Sequence, residues 1–132
     1  MCLLIHNKNE DSGVPKKAKK PIKVYKMLVN LSPIPGEEDY ATACRYEPVK
    51  FVNGEAILHT DKIGEAKVWK GGENLLFIEK GIHAYTERKM AEYVATGIGA
   101  QVFEAVIPQN GMYVRGIGRE IVSDYLYIYE GK

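Results

Sequence analysis

Along IKVYKMLV, residues 22–29, polar and apolar side chains are interleaved, and the run is rich in β-branched and aromatic residues. Successive strand side chains point to opposite faces, so this pattern predicts a β-strand with one buried side. QVFEAVI, residues 101–107, predicts another, ended by Pro108, which cannot continue a ladder. YLYIY, residues 125–129, predicts a third, with Tyr125, Tyr127 and Tyr129 on one face and Leu126 and Ile128 on the other. Asn53-Gly54 separates KFV from EAILH and suits a type I′ turn, so that segment reads as a β-hairpin. LLFIEKGIHAY predicts a strand with a bend at Gly81, while MCLLI, AKVW and MYVR are shorter candidates. Lys70-Gly71-Gly72-Glu73 reads as a loop.

The period changes after Tyr85. Met90, Ala91 and Val94 form an apolar stripe at helical spacing, with Thr86 as the expected N-cap, Glu87 in the first turn and Gly97 as the expected stop. One principal short helix, about residues 87–96, among many strands predicts an α+β domain with a mostly antiparallel sheet. NKNEDSGVPKKAKKP, residues 7–21, has little to bury and carries Gly13, Pro15 and Pro21. It reads as a flexible basic tether between a short strand at 1–6 and a single domain at 22–132.

Charge sharpens that division. Residues 1–30 hold seven Lys against two acids, whereas the remainder holds 11 Lys and Arg against 15 acids, so the net +1 conceals a basic amino-terminal end. No aromatic interleaves KKAKK, which favours a solvated linker over a nucleic-acid surface. At 132 residues the chain can bury one core without staples. Two cysteines, Cys2 and Cys44, make no disulfide framework and no CxxC, which fits a reducing cytoplasm. The apolar residues of MCLLIH are too few for a signal peptide, and no run approaches the ~18 apolar residues of a membrane span.

Few residues carry chemistry. Removal of Met1 would place an α-amine beside the Cys2 thiol, as in amino-terminal nucleophile hydrolases, but a buried or incidental cysteine is the better reading. Cys2, Cys44, His6, His59 and His83 lack ligand spacing for zinc. The glycines of GIGAQ and GIGRE do not follow a strand and open a helix, so they read as turns. The strand-to-helix corner GIHAYTERKMAEY remains, with His83 able to bind an anion or move a proton and Tyr85 and Tyr93 able to stack on a ring.

MCLLIH, VYKML, LSPI, YEPVK, IEKGIHAY, VFEAVIP and VSDYLYI together resemble an uncharacterised family of small proteins from gut bacteria and their phages. The pattern begins M-C-L-x-I and has a G-[IF]-H strand before its helix. The corner is also similar to a domain of unknown function found beside some pentapeptide repeats. The order Gly81-Ile82-His83, Tyr93, Gly111-Met112-Tyr113, Glu120-Ile121-Val122 further resembles poly(ADP-ribose) polymerase-type ADP-ribosyltransferases. That likeness implies a split-sheet topology and, for an enzyme, NAD as substrate with His83, Tyr93 and Glu120 at the catalytic centre. His83 stands where that family keeps a tyrosine, and Tyr25-Lys26 where it keeps a His-Gly pair.

The reading that results is a small cytoplasmic, non-enzymatic binding protein of bacterial or phage origin, with no cofactor or metal. Its ligand, a partner protein or a small nucleotide, would lie near His83, Tyr85 and Tyr93. An ADP-ribosyltransferase-like enzyme acting on NAD is the alternative. Self-association through MCLLI or the edge of YLYIY is a third.

Overall fold

Two bent arms of chain organise the molecule. A computed structural model describes residues 3–6, 14–43, 46–68, 75–116 and 119–130. The first arm is β9 (Gln101–Ile107) followed by β10 (Met112–Arg115), and the second is β11 (Glu120–Ser123) followed by β12 (Tyr125–Tyr129). β10 pairs with β11 and β9 with β12, so the arms form one long hairpin. Both arms kink at its middle. Pro108 lacks an N–H, Asn110 has φ 73°, and only Asp124 separates β11 from β12. Asp124 fastens the kinks together: its Oδ1 accepts from Met112 N at 2.9 Å, and its N donates to Met112 O at 3.2 Å.

Further strands flank each half. β3 (Ile22–Asn30) lies along β9 over seven residue pairs, from Ile22↔Ile107 to Leu28↔Gln101, and β2 (Lys16–Lys17) lies along β10. On the opposite side β5 (Glu55–His59) follows β12 and β8 (Ile82–Tyr85) follows β11. β4 (Tyr40–Thr42) adds to β3 beyond its middle. All these pairings are antiparallel. The kinks fold one half over the other, so Val24, Leu28, Ala105, Ile107, Leu126 and Ile128 meet Ala18, Ala84 and Ile121 in a common core. This burial of aliphatic side chains is the main favourable term holding the two halves together.

Two elements cover the outside. A small sheet of β1 (Leu3–His6), β7 (Leu75–Ile78) and β6 (Lys67–Val68) packs Ile78 with Val114 and Val122. Helix α1 (Arg88–Ile98) seats Ala91 and Ala95 against Met27 and Tyr85. Among the described residues the outcome is a mostly antiparallel α+β architecture with one short helix.

Several local expectations change. Thr86 is not the N-cap. Its N and Oγ1 both donate to Arg119 O, at 2.7 and 3.1 Å, so the strand's bonding runs one residue further and Glu87 becomes the N-cap without a side-chain capping bond. The helix passes through Gly97 and stops at Gly99, whose φ of 70° supplies the left-handed cap. The Asn53-Gly54 turn forms, with φ of 55° and 82°, but its arms separate after Val52 and Glu55, and β5 takes β12 as its partner instead. Within residues 7–21, read as a tether, Lys16–Lys17 form β2 and Ala18 is only 1% exposed. YLYIY presents no edge, because β12 lies between β9 and β5, and β5 is the terminal strand there. The expectations for Cys2, Cys44, Trp69, residues 7–13 and the loop at 70–73 fall outside the described residues.

Candidate functional site

The folded halves meet edge to edge at one residue pair, Tyr25 of β3 with Tyr85 of β8. Strand alternation shows what happens next. Leu31 N donates to Asp39 O toward β4, so the odd residues of β3 turn their peptide groups to that edge. Thr86 N points to Arg119, so the odd residues of β8 face β3. Met27 and His83 would therefore form the next rung, yet the strands have parted there. Lys26 fills the break, its Nζ donating to His83 O at 2.6 Å.

A notch of about 630 Å³ opens at this break. Met27, Leu58, Ile82, Val94 and Ile98 supply apolar walls, and Lys26, Thr42, His83, Tyr85 and Glu120 supply polar groups. Glu47, Glu79 and Lys80 also line it, on exposed positions. The volume lies inside the roughly 300–1,000 Å³ range of small-molecule sites. Gly81 turns the chain into this wall with φ 140°, and a Cβ there would sit 2.4 Å from Val122 Cγ2, so glycine is required at the entry to β8.

His83 sits on the helix side of β8, where its Nε2 is 2.9 Å from Ile78 O. The imidazole thus ties the small sheet to the large one. Burial pushes its pKa below the ordinary histidine value, opposed by backbone hydrogen bonds to Ile78 and Gly81. A neutral ring with Nε2–H donating to Ile78 satisfies that contact. Tyr85 lies directly across from Glu120 in the β8–β11 register. Burial, then the Glu120 charge, pushes the Tyr85 phenol up to about 12. Burial also raises the Glu120 carboxyl above its ordinary value.

Of the residues singled out from sequence, the fold brings His83, Tyr85 and Glu120 to one cavity. Tyr93 stands apart, 80% exposed on the outer face of α1 and absent from the cavity wall. The sequence reading missed Lys26, although a signal was present: Ile22, Val24 and Leu28 share its phase, so a lysine interrupts an otherwise apolar face. Met27, Thr42 and Leu58 carried no such mark, because their proximity depends on the long-range bend. Among the described residues no group of three or more His, Cys, Asp or Glu could hold a metal ion, and no helix is long and apolar enough to cross a membrane. Comparison with family models, curated proteins and solved structures found no match.

Proposed function

We propose that this chain is a small-ligand-binding protein whose ligand, of nucleotide size, occupies the notch between β3 and β8. The observation that carries this reading is the break in the sheet itself. A continuous sheet would satisfy its own peptide groups, whereas here the ladder stops after one rung and leaves a concave site of about 630 Å³. Met27, Val94 and Ile98 offer a surface for a ring, and polar side chains of Lys26, Thr42, Tyr85 and Glu120 line the cavity beside it. A compact ligand fits this geometry better than a broad protein surface does.

Thermal denaturation with NAD, ADP-ribose and cyclic dinucleotides tests the reading. A ligand present at 100 times its Kd stabilises the native state by about 2.7 kcal/mol, which appears as a raised Tm. Ile98→Trp, at a half-exposed position on the wall, is expected to remove the shift while leaving the unliganded Tm nearly unchanged. A flat response to every nucleotide would sink the proposal.

A second reading has one specific support. His83 and Glu120 line the same cavity, as an ADP-ribosyltransferase-like topology acting on NAD requires. A carboxylate there could stabilise the positive charge that develops as nicotinamide leaves. Tyr93 contributes nothing to that reading from its place on α1. Release of nicotinamide from NAD, abolished in Glu120→Gln, would favour it; no release from the wild-type protein would end it.

A further inference from the structure

The outward face of β3, β9, β12 and β5 is divided in two. Residues directly opposite in an antiparallel pair share a face, so Met27 goes with Val102, Tyr25 with Glu104 and Lys23 with Val106. Helix α1 packs on the first part of this face, at Met27, Val102 and Tyr25. Past Arg88, which lies over the Tyr25 ring at 5.1 Å, the face continues into β12 and β5. There Tyr127 stands between Val106 and Ile57, and Tyr125 and Tyr129 flank it along the strand. Ile57 is 57% exposed, and Tyr125 and Tyr129 are 36% and 38% exposed. The core on the other side of β12 is made by Leu126 and Ile128, so packing does not account for three phenol rings spaced about 6.8 Å apart on the solvent side.

Charge around this ladder is uneven. Lys23 shares the row of Val106, Tyr127 and Ile57, two strand spacings or about 10 Å from Tyr127. Ala18 N donates to Gly111 O at 2.8 Å, and Ile22 lies opposite Ile107. Lys19 and Lys20, both exposed, therefore pass the kink from which β12 starts. The carboxylates nearest this end are engaged: Glu104 is held by Arg88 at 2.8 Å, and Asp124 accepts from Met112 N. Glu55 and Glu130 lie at the opposite end of the ladder, beside Tyr129. KKAKK contains no ring, but the fold sets its lysines beside rings from the far end of the chain.

We infer that this face binds single-stranded nucleic acid, its bases stacked on Tyr125 and Tyr127 and its phosphates along Lys19, Lys20 and Lys23. None of these five residues lines the notch, so the two sites are separate. A polymer that repeats a flat ring and an anion matches a surface that offers rings beside lysines; an acidic peptide supplies the charge without the rings. Stacking uses the π-face that every base carries and a duplex hides, so the site favours single strands with little preference for sequence. Glu55 and Glu130 repel phosphate at the Tyr129 end, which confines the strand to the side of the lysines.

Fluorescence anisotropy with labelled oligothymidylate and oligouridylate about 12 nucleotides long, and with a mixed-sequence duplex of equal length, tests this. The single strands are expected to bind at least about tenfold more tightly than the duplex at the same salt. Tyr125→Leu and Tyr127→Leu keep an apolar side chain and should each weaken binding about fivefold or more. Lys20→Gln and Lys23→Gln should each reduce the slope of log K against log salt by about 0.7. Ile98→Trp, which obstructs the notch, should leave oligonucleotide affinity unchanged. Should Tyr127→Leu not fold, Tyr125→Leu, at a more exposed position, carries the tyrosine arm alone. No binding of either single strand, equal affinity for the duplex, or affinities indifferent to the tyrosine replacements would overturn the inference. Loss of binding in Ile98→Trp would place the strand in the notch and overturn it too.

Discussion

His83 and Glu120 are ionisable groups displaced in opposite directions, and their effects on stability have opposite signs. His83 has a depressed native pKa, so the native state prefers the neutral ring. Its contribution is fully present above the ordinary value of 6.5 and is lost as pH falls from there through the native value. Glu120 has a raised native pKa, so its contribution is fully present below the ordinary 4.5 and is lost as pH rises through the native value. At neutral pH the Glu120 charge therefore works against folding. Glu120→Gln should gain stability relative to wild type as pH rises from 4 toward 7, and His83→Gln should flatten the wild-type loss below pH 6.5. Chemical-denaturation midpoints across that range check both. A Glu120→Gln difference that does not change with pH would show that the carboxyl is not held in a desolvated wall. His83 was conspicuous in sequence as a histidine on a predicted strand, whereas Glu120 fell in GIGRE, read as a turn, and was singled out only through the ADP-ribosyltransferase resemblance. The burial that shifts both was not legible, since it comes from elements far away along the chain.

Helix α1 shows how far local signals reach. Its apolar stripe of Met90, Ala91 and Val94 was legible from spacing alone, and Ala91 is buried as that stripe requires. Its ends were not, because each depends on one hydrogen bond. Thr86 remains bonded to Arg119 across the strand junction, and Gly99, two residues beyond the expected stop, adopts the left-handed cap. Glu87 and Arg119 form an ion pair that holds the helix start to the turn before β11. These assignments have opposite consequences for two neighbouring glycines. Gly97 lies inside the helix, and a methyl group added there would meet nothing within 4 Å, so Gly97→Ala should stabilise by about 0.5–1 kcal/mol. Gly99 has equal space but φ 70°, so Gly99→Ala should destabilise by about 1 kcal/mol. Urea unfolding of the two variants decides the point; the reverse order would restore Gly97 as the stop.

At the scale of the whole molecule, individual strands were readable but their partners were not. The period-2 pattern of QVFEAVI and YLYIY identifies each strand and its buried face, and neither pattern states that Asp124 and Pro108 bend the pair they form. EAILH was assigned to KFV by the turn between them, yet burying Ala56 and Leu58 against Leu126 and Ile128 gives β5 five pairs with β12. The break between β3 and β8 is a consequence of this bend, since the outer edges of the two halves converge at Tyr25 and Tyr85 and then diverge. Hydrogen exchange reads that geometry directly. The N–H groups of Val24 and Leu28 point to β9, and that of Ala84 points to β11, so all three should be strongly protected. Those of Met27 and His83 point into the notch and should exchange much faster than these sequence neighbours. A ligand filling the notch should slow Met27 and His83 selectively, because it replaces water at their amides. Equal protection at Met27 and Leu28 in the unliganded protein would mean that β3 and β8 are zipped together in solution, and a site built on their separation would not exist.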